Sequence, residues 1–266
     1  MKKIDELESL KKLELQILFE VDRFCRKYKL TYYLVGGTLL GAIRHRGFIP
    51  WDDDIDIAMY REDYNRLVSA WKSDRFRILK PGDNGYYYCH AKIVDSFTTV
   101  MENKYRNING MGVFIDVFII DGMGETYSDA MDKYRILEKI RHKISAFCYK
   151  LKFNNISVED IKLLIKYWPI SNRKLKALQN EYKKKAAINC TRGYVYLSGG
   201  AYKEKDIFQG SVFAVPQEVE FEHNKFMAPS KYREYLTGLY GDYMKLPPAE
   251  KRSSNHDFTA YWSSNR

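Results

Sequence analysis

The stretch LVGGTLLGAIRHRGFIPWDDDIDI (residues 34–57) decides how the rest of the chain is read. It is entered through TYYLV (31–35), a β-branched and aromatic run that reads as a strand. The pair Gly36-Gly37 breaks that strand. TLLGAIR follows, with Leu39, Leu40 and Ile43 at helical spacing and Thr38 placed to cap the start. A strand, a glycine turn and a helix N-terminus present backbone N–H groups to a phosphate. Gly36, Gly37 and Thr38 are the candidates for that cradle, and Arg44 farther along the helix adds a charge-assisted contact. Pro50 disfavours helix for its predecessor, and the run Asp54-Ile55-Asp56-Ile57 then alternates. In a strand, positions i and i+2 share a face, so Asp54 and Asp56 point together while Ile55 and Ile57 point into the core. Two like charges on one face repel, and a hard divalent cation held by oxygen ligands, Mg²⁺ or Mn²⁺, is the usual compensation. A solvated edge strand with acidic decoration fits the tryptophan and hydrophobic flanks poorly.

Downstream, GVFIDVFIID (112–121) is apolar on both faces except at Asp116, with Asp121 at its end. A continuous apolar strand is buried, and a buried ionised aspartate is costly unless paired or metal-bound. Asp116 is therefore either a satisfied core carboxylate or a further metal ligand and base. Asp121, before Gly122, reads as a turn residue. Helices are expected over 3–29, where Leu10, Leu13, Ile17, Val21, Phe24 and Tyr28 form an apolar stripe, and over 61–72. FRILK (76–80), YYYCHAKIV (86–94) and TTVMENKY (98–105) read as strands. Lys92 is positioned to contact phosphate or solvent, and His90, with no identifiable partner, reads as structural.

Residues 126–190 change character, with helical patterns over 126–152, 157–168 and 172–188. They hold 15 Lys plus Arg against 6 Asp plus Glu, a surplus of 9 out of the chain's +10. Solvated helix faces explain such a surplus, as does docking on an anionic membrane or a polyanionic partner. Ile144, Phe147, Leu151 and Phe153 would be the inserting residues in that case, with Lys139, Arg141, Lys143, Lys150 and Lys152 supplying charge. Strands return at YVYLSG (194–199) and over 211–229, a helix follows from Pro229 to Gly241, and a basic tail carries Lys251, Arg252 and His256.

At 266 residues and 45% hydrophobic, the chain buries a full core. Cys25, Cys89, Cys148 and Cys190 are dispersed without zinc spacing, and neither a signal peptide nor a membrane-spanning apolar run is present, which points to a reduced cytoplasmic protein. No nucleic-acid motif accompanies the positive charge, so nucleic acid is not expected as a partner.

The whole of 34–57 resembles the signature of the LicD family of phosphocholine transferases, which includes the fukutin-type ribitol-phosphate transferases. More distantly, Gly-Gly-Thr followed by Asp-Ile-Asp-Ile is similar to the glycine/carboxylate motif of the nucleotidyltransferase fold. The resemblance continues over HAKIVDSFTTV (90–100), and from the P-S-x-Y-x-x-Y-L helix through Tyr-Gly-Asp-Tyr-Met to Leu-Pro-Pro and the basic tail. It implies an α/β mixed sheet with a nucleotidyltransferase-like core over 1–125. A basic helical subdomain (126–190) and a C-terminal part (191–266) returning to the core would complete the chain. It also implies that Asp116 completes a site with Asp54 and Asp56, that Lys92 contacts phosphate, and that Arg252 and His256 fold back near the nucleotide. The implied reaction moves phosphocholine from CDP-choline onto a sugar hydroxyl of a teichoic-acid, capsule or lipopolysaccharide precursor. A lipid-linked acceptor would bring the enzyme to the inner face of the membrane. The motif residues by themselves specify a metal-dependent phosphotransferase. A nucleotidyltransferase that leaves the nucleoside monophosphate on its acceptor, and a non-enzymatic basic binding module, are the alternatives.

Overall fold

The computed structural model describes residues 2–103, 105–148, 158, 161, 171–188, 191–252 and 258–263. The fold is of the α/β class, a curled mixed sheet flanked by helices, and it is built on one long strand. The apolar run read at 112–121 becomes β7 (Phe114–Gly124), the longest strand described, whose two edges are shared among three neighbours. The first elements are β1 (Lys3–Ile4), α1 (Leu7–Tyr28), β2 (Tyr33–Leu34) and α2 (Gly36–His45). β3 (Asp56–Tyr60), α3 (Arg61–Ala70), β4 (Phe76–Leu79), β5 (Ala91–Asp95) and β6 (Thr98–Glu102) follow. β3 lies parallel along one edge of β7. β5 lies antiparallel along the first half of the other edge. β8 (Tyr194–Ser198) takes the second half, so residues from both ends of the chain complete one seven-stranded sheet with β2, β4 and β9 (Ile207–Gln209).

Two helices follow β7. α4 (Tyr127–Ser145) opens on a capping box in which Thr126 and Asp129 satisfy each other's backbone N–H groups, and α5 (Asn172–Ala187) opens on Ser171. They pack on each other and on β7. α1 and α3 also contact β7, which is why its sequence is apolar on both faces. A hairpin, β10 (Pro216–Phe221) with β11 (Asn224–Pro229), and α6 (Tyr232–Tyr240) close over α2. The last strand, β12 (Phe258–Trp262), lies between β1 and β6 and ties the two ends of the chain together.

Several expectations change. Residues 86–90 are not a strand. Gln179 of α5 donates to the Tyr86 and Tyr88 carbonyls and accepts from the Gly82 amide, so this segment satisfies its backbone through a helix side chain. Residues 211–213 form a short 3₁₀ turn before the hairpin. Asp121 is no turn residue. It is a buried strand residue paired with both Arg61 nitrogens at 2.5 and 2.6 Å, and it accepts from the Ser198 hydroxyl at 2.7 Å. In the basic region, Ile144 and Phe147 are core residues, and Arg141 is held by both carboxylate oxygens of Glu138. The expected helix over 157–168 falls almost wholly outside the described residues. So do Lys150, Leu151, Lys152, Phe153 and Cys190.

Candidate active site

The register of β3, β7 and β5 makes the site. Asp56 lies opposite Asp116, and Asp116 lies opposite Lys92. Residues opposite one another on adjacent strands share a face. The three therefore form one charged row, acid–acid–base, across the middle of the sheet. Ile55 and Ile57, which flank Asp56, are fully buried, as their alternation required.

The row is electrostatically split. Lys92 Nζ sits 2.6 Å from Asp116 Oδ1 and 3.6 Å from the centre of the Phe114 ring, so a buried ammonium is met by both a carboxylate and a π face. His90 Nε2 stands 2.9 Å from the same Oδ1. Burial alone would raise the pKa of Asp116, but Lys92 and His90 outweigh it and hold this carboxyl well below the usual range. Asp56 goes the other way. Burial, then the charges of Asp54 and Asp116, push its carboxyl well above the ordinary range, and Lys92 relieves this only in part. Burial also lowers the imidazole of His90, which keeps it neutral against the pull of Asp116.

The glycine turn meets this row from above. The helix starts earlier than Thr38, at Gly36 with Val35 as its cap, so both glycines belong to its first turn. Gly36 has φ of +55°, and a Cβ there would stand 2.7 Å from Asp56 Oδ2. A Cβ on Gly37 would stand 2.6 Å from Asp52 Oδ2. The glycines thus let two carboxylates approach the positive end of a helix. Thr38 is not a cap. Its buried hydroxyl accepts from the Asp56 amide at 2.8 Å and ties the helix to the start of β3. The Gly36 amide is engaged too, donating to the Tyr235 hydroxyl of α6 at 3.0 Å.

Around the rim, Arg252 lies over the Trp51 ring, 5.6 Å from its centre, and so beside the acidic stretch 52–54. Arg44 donates to the carbonyls of Tyr243 and Lys245, which fastens α2 to the loop after α6. His256 lies outside the described residues. Two groups escaped the sequence reading. His90 does have a partner, Asp116, found only through the fold. Glu14 of α1 is buried with Oε2 unpartnered, and burial together with Asp54, Asp53, Asp52 and Asp56 raises its carboxyl well above the usual range. Glu14 sits on an amphipathic helix, where it read as one more surface acid. The available signal was its spacing, four residues after Leu10 and three before Ile17, which places it in the apolar stripe.

Among the described residues, no three His, Cys, Asp or Glu side chains converge as a ready-made metal site. The donor set nevertheless suits Mg²⁺, which takes one or two carboxylates and fills its remaining positions with water and substrate phosphate. Asp54 and Asp56 offer those carboxylates, and burial together with the like charges of Asp54 and Asp116 raises the Asp56 carboxyl, a shift that a bound cation would relieve.

Known proteins are similar to this chain in sequence. The profile of the family LicD/FKTN/FKRP, nucleotidyltransferase domain, matches residues 29–159. Lipopolysaccharide cholinephosphotransferase LicD of Haemophilus influenzae is 33% identical over 261 residues, covering 93% of this chain and 94% of that protein. The human ribitol 5-phosphate transferase FKRP is 59% identical over 32 residues, 12% of this chain and 6% of that protein. With a carboxylate row set against a glycine-opened helix and a relative similar along nearly its full length, the chain belongs to the LicD family.

Proposed function

We propose that this protein transfers a phosphorylated alcohol from a cytidine diphosphate donor to a sugar hydroxyl of a cell-surface glycan precursor, with phosphocholine from CDP-choline as the leading donor. The observation that carries this reading is the row Asp56–Asp116–Lys92 facing the first turn of α2. Phosphoryl transfer asks a protein chiefly for positioning and charge neutralisation. The row supplies acids for a cation and a buried ammonium for phosphate oxygens. The name of the Haemophilus relative supports choline as the alcohol and lipopolysaccharide as the acceptor class.

Asp54 and Asp56 would hold Mg²⁺ or Mn²⁺, whose chemistry is to neutralise the diphosphate as the bond to its bridging oxygen weakens. Asp116 suits the role of ligand and charge anchor better than that of base. A base works best with a pKa near the working pH, and Lys92 with His90 holds Asp116 far below it. Gly37 and Thr38, through the first turn of α2, would orient a phosphate, and Arg252 over Trp51 would close on the nucleotide.

The basic region keeps a part in this proposal. α5 presents Arg173, Lys174, Lys176, Lys183, Lys184 and Lys185 to solvent against the single acid Glu181. Contact of that face with an anionic leaflet would bring the site to a lipid-linked acceptor. No described helix is long and apolar enough to cross a membrane.

Incubation with CDP-choline, CDP-ribitol and CDP-glycerol plus Mg²⁺, read as CMP release, tests the donor assignment. CDP-choline is expected to be turned over fastest, and EDTA should abolish release from every donor. Full activity after thorough EDTA treatment would contradict the site.

A further inference from the structure

Beside His90 the fold leaves a cavity of about 400 Å³, within the range of roughly 300–1,000 Å³ typical of small-molecule sites. Its walls come from the segment 87–90, Tyr105, the end of α4, and the Gly199–Ala201 turn. Three tyrosine rings, Tyr87, Tyr88 and Tyr105, face it. The inner wall is His90, whose far side is the Asp116 carboxylate at 2.9 Å. His90 is buried, and its Nδ1 has no hydrogen-bond partner. Gly199, at φ of +92°, makes room for the ring: a Cβ there would lie 2.6 Å from Nδ1.

We infer that this cavity is the acceptor subsite and that it takes a neutral sugar ring whose reactive hydroxyl faces Asp116 past His90. The inference rests on the transferase reading above and adds where the acceptor enters. Three observations carry it. The first is position. The α2 turn and Asp56 lie on one side of Asp116 and the cavity on the other, and a displacement at phosphorus needs its attacking and leaving oxygens roughly in line. The second is chemistry. Tyrosine faces beside an unsatisfied imidazole suit a ligand with apolar ring faces and hydroxyl edges. The third is charge. The ionisable groups in the lining besides tyrosine and cysteine are His90 and Arg141, and no lining residue carries a carboxylate. A quaternary ammonium would find rings there but no counter-ion, which argues against the choline head of the donor.

The test combines saturation-transfer NMR with the methyl glycosides of glucose, galactose, N-acetylglucosamine and N-acetylgalactosamine, and calorimetric titration of CDP-choline in the presence of Mg²⁺. The proteins are the parent, Ser145→Trp, which adds bulk to the cavity lining, and Tyr105→Ala, which removes a ring from its wall. At least one glycoside is expected to bind the parent, with its signal lowered about fivefold or more in both variants, while CDP-choline affinity stays within about twofold of the parent's. Two variants opposite in volume keep the result independent of either one's folding. If no glycoside binds the parent, or if binding persists equally in both variants, the cavity is not the acceptor site. A loss of CDP-choline affinity in the variants would assign the cavity to the donor and overturn the inference in the same way. Failure of the parent itself to bind CDP-choline would instead sink the transferase reading, a distinguishable result.

Discussion

Asn at position 56 and Asn at position 116 are expected to give equally inactive proteins of opposite stability. Both replacements should cut transfer by roughly 1,000-fold or more, since each removes a charge aimed at the reacting diphosphate. Asp56 is the strained partner. Burial and the charges of Asp54 and Asp116 disfavour its ionised form, so Asp56→Asn relieves repulsion and the metal-free protein should melt at or above the parent temperature. Asp116 is the satisfied partner. Asp116→Asn strips the carboxylate from Lys92, which is only 3% exposed, and an uncompensated buried charge costs about 3–5 kcal/mol. For a chain of this size that lowers the melting temperature by on the order of 10 °C. Melting curves in EDTA beside turnover in Mg²⁺ give both readings. Near-parent turnover in either variant would remove that residue from the mechanism, and equal melting temperatures would mean that the split within the row is wrong.

The second large effect comes from the other end of the row. Lys92→Met should abolish transfer and reverse the contribution of Asp116 to the pH dependence of stability in the metal-free protein. In the parent, the folded Asp116 carboxyl lies below its unfolded value. Its contribution is complete above the ordinary carboxylate range and is lost only as the pH falls through that range. Between about pH 5 and 8 the parent therefore gains nothing further from Asp116. Without Lys92, burial and Asp56 act on Asp116 against His90 alone, and the folded value rises above the unfolded one. The sign then reverses: stability is full at low pH and is lost as the pH climbs through the new folded value. Asp56 and Glu14, whose carboxyls burial raises, give both proteins a shared decline with rising pH, so the variant's melting temperature should fall more steeply than the parent's from about pH 5 to 8. Parallel curves for the two proteins would show that Lys92 is not what keeps Asp116 ionised.

These contrasts depend on a register that sequence does not carry. Asp54, Asp56 and Asp116 were legible because each breaks an apolar pattern: an aspartate alternating with isoleucine, or alone in a buried run, must be accounted for. Pairing across strands is different. Nothing local in HAKIVD says that Lys92 will face Asp116, so a solvated lysine was an equal reading. His90 was misjudged for the same reason, since its partner lies 26 positions away in the chain. Asp121 looked like a turn residue because a glycine follows it. β7 instead continues through Gly122 to Gly124, and Arg61 from α3 neutralises the buried carboxylate. The glycine turn was recognised but its purpose was only half seen. The expected cradle would use backbone N–H groups, whereas what the structure shows is Gly36 and Gly37 clearing space for Asp56 and Asp52. The tyrosine run at 86–88 has strong strand propensity, and the distant Gln179, with the Tyr86 amide turned back to the Asp83 carbonyl and the Tyr87 hydroxyl to the Arg106 carbonyl, holds it as a loop.

The claim at the centre of this account is that the row cleaves a cytidine diphosphate donor so that the alcohol phosphate, and not the nucleotide, ends on the acceptor. The direct measurement uses CDP-choline carrying one label in the cytidine and another in the choline, with Mg²⁺ and lipopolysaccharide lacking phosphocholine as acceptor. The choline label is expected on the glycan and the cytidine label in released CMP, both lost in Asp56→Asn. Cytidine label on the glycan, or transfer undiminished in Asp56→Asn, would contradict it.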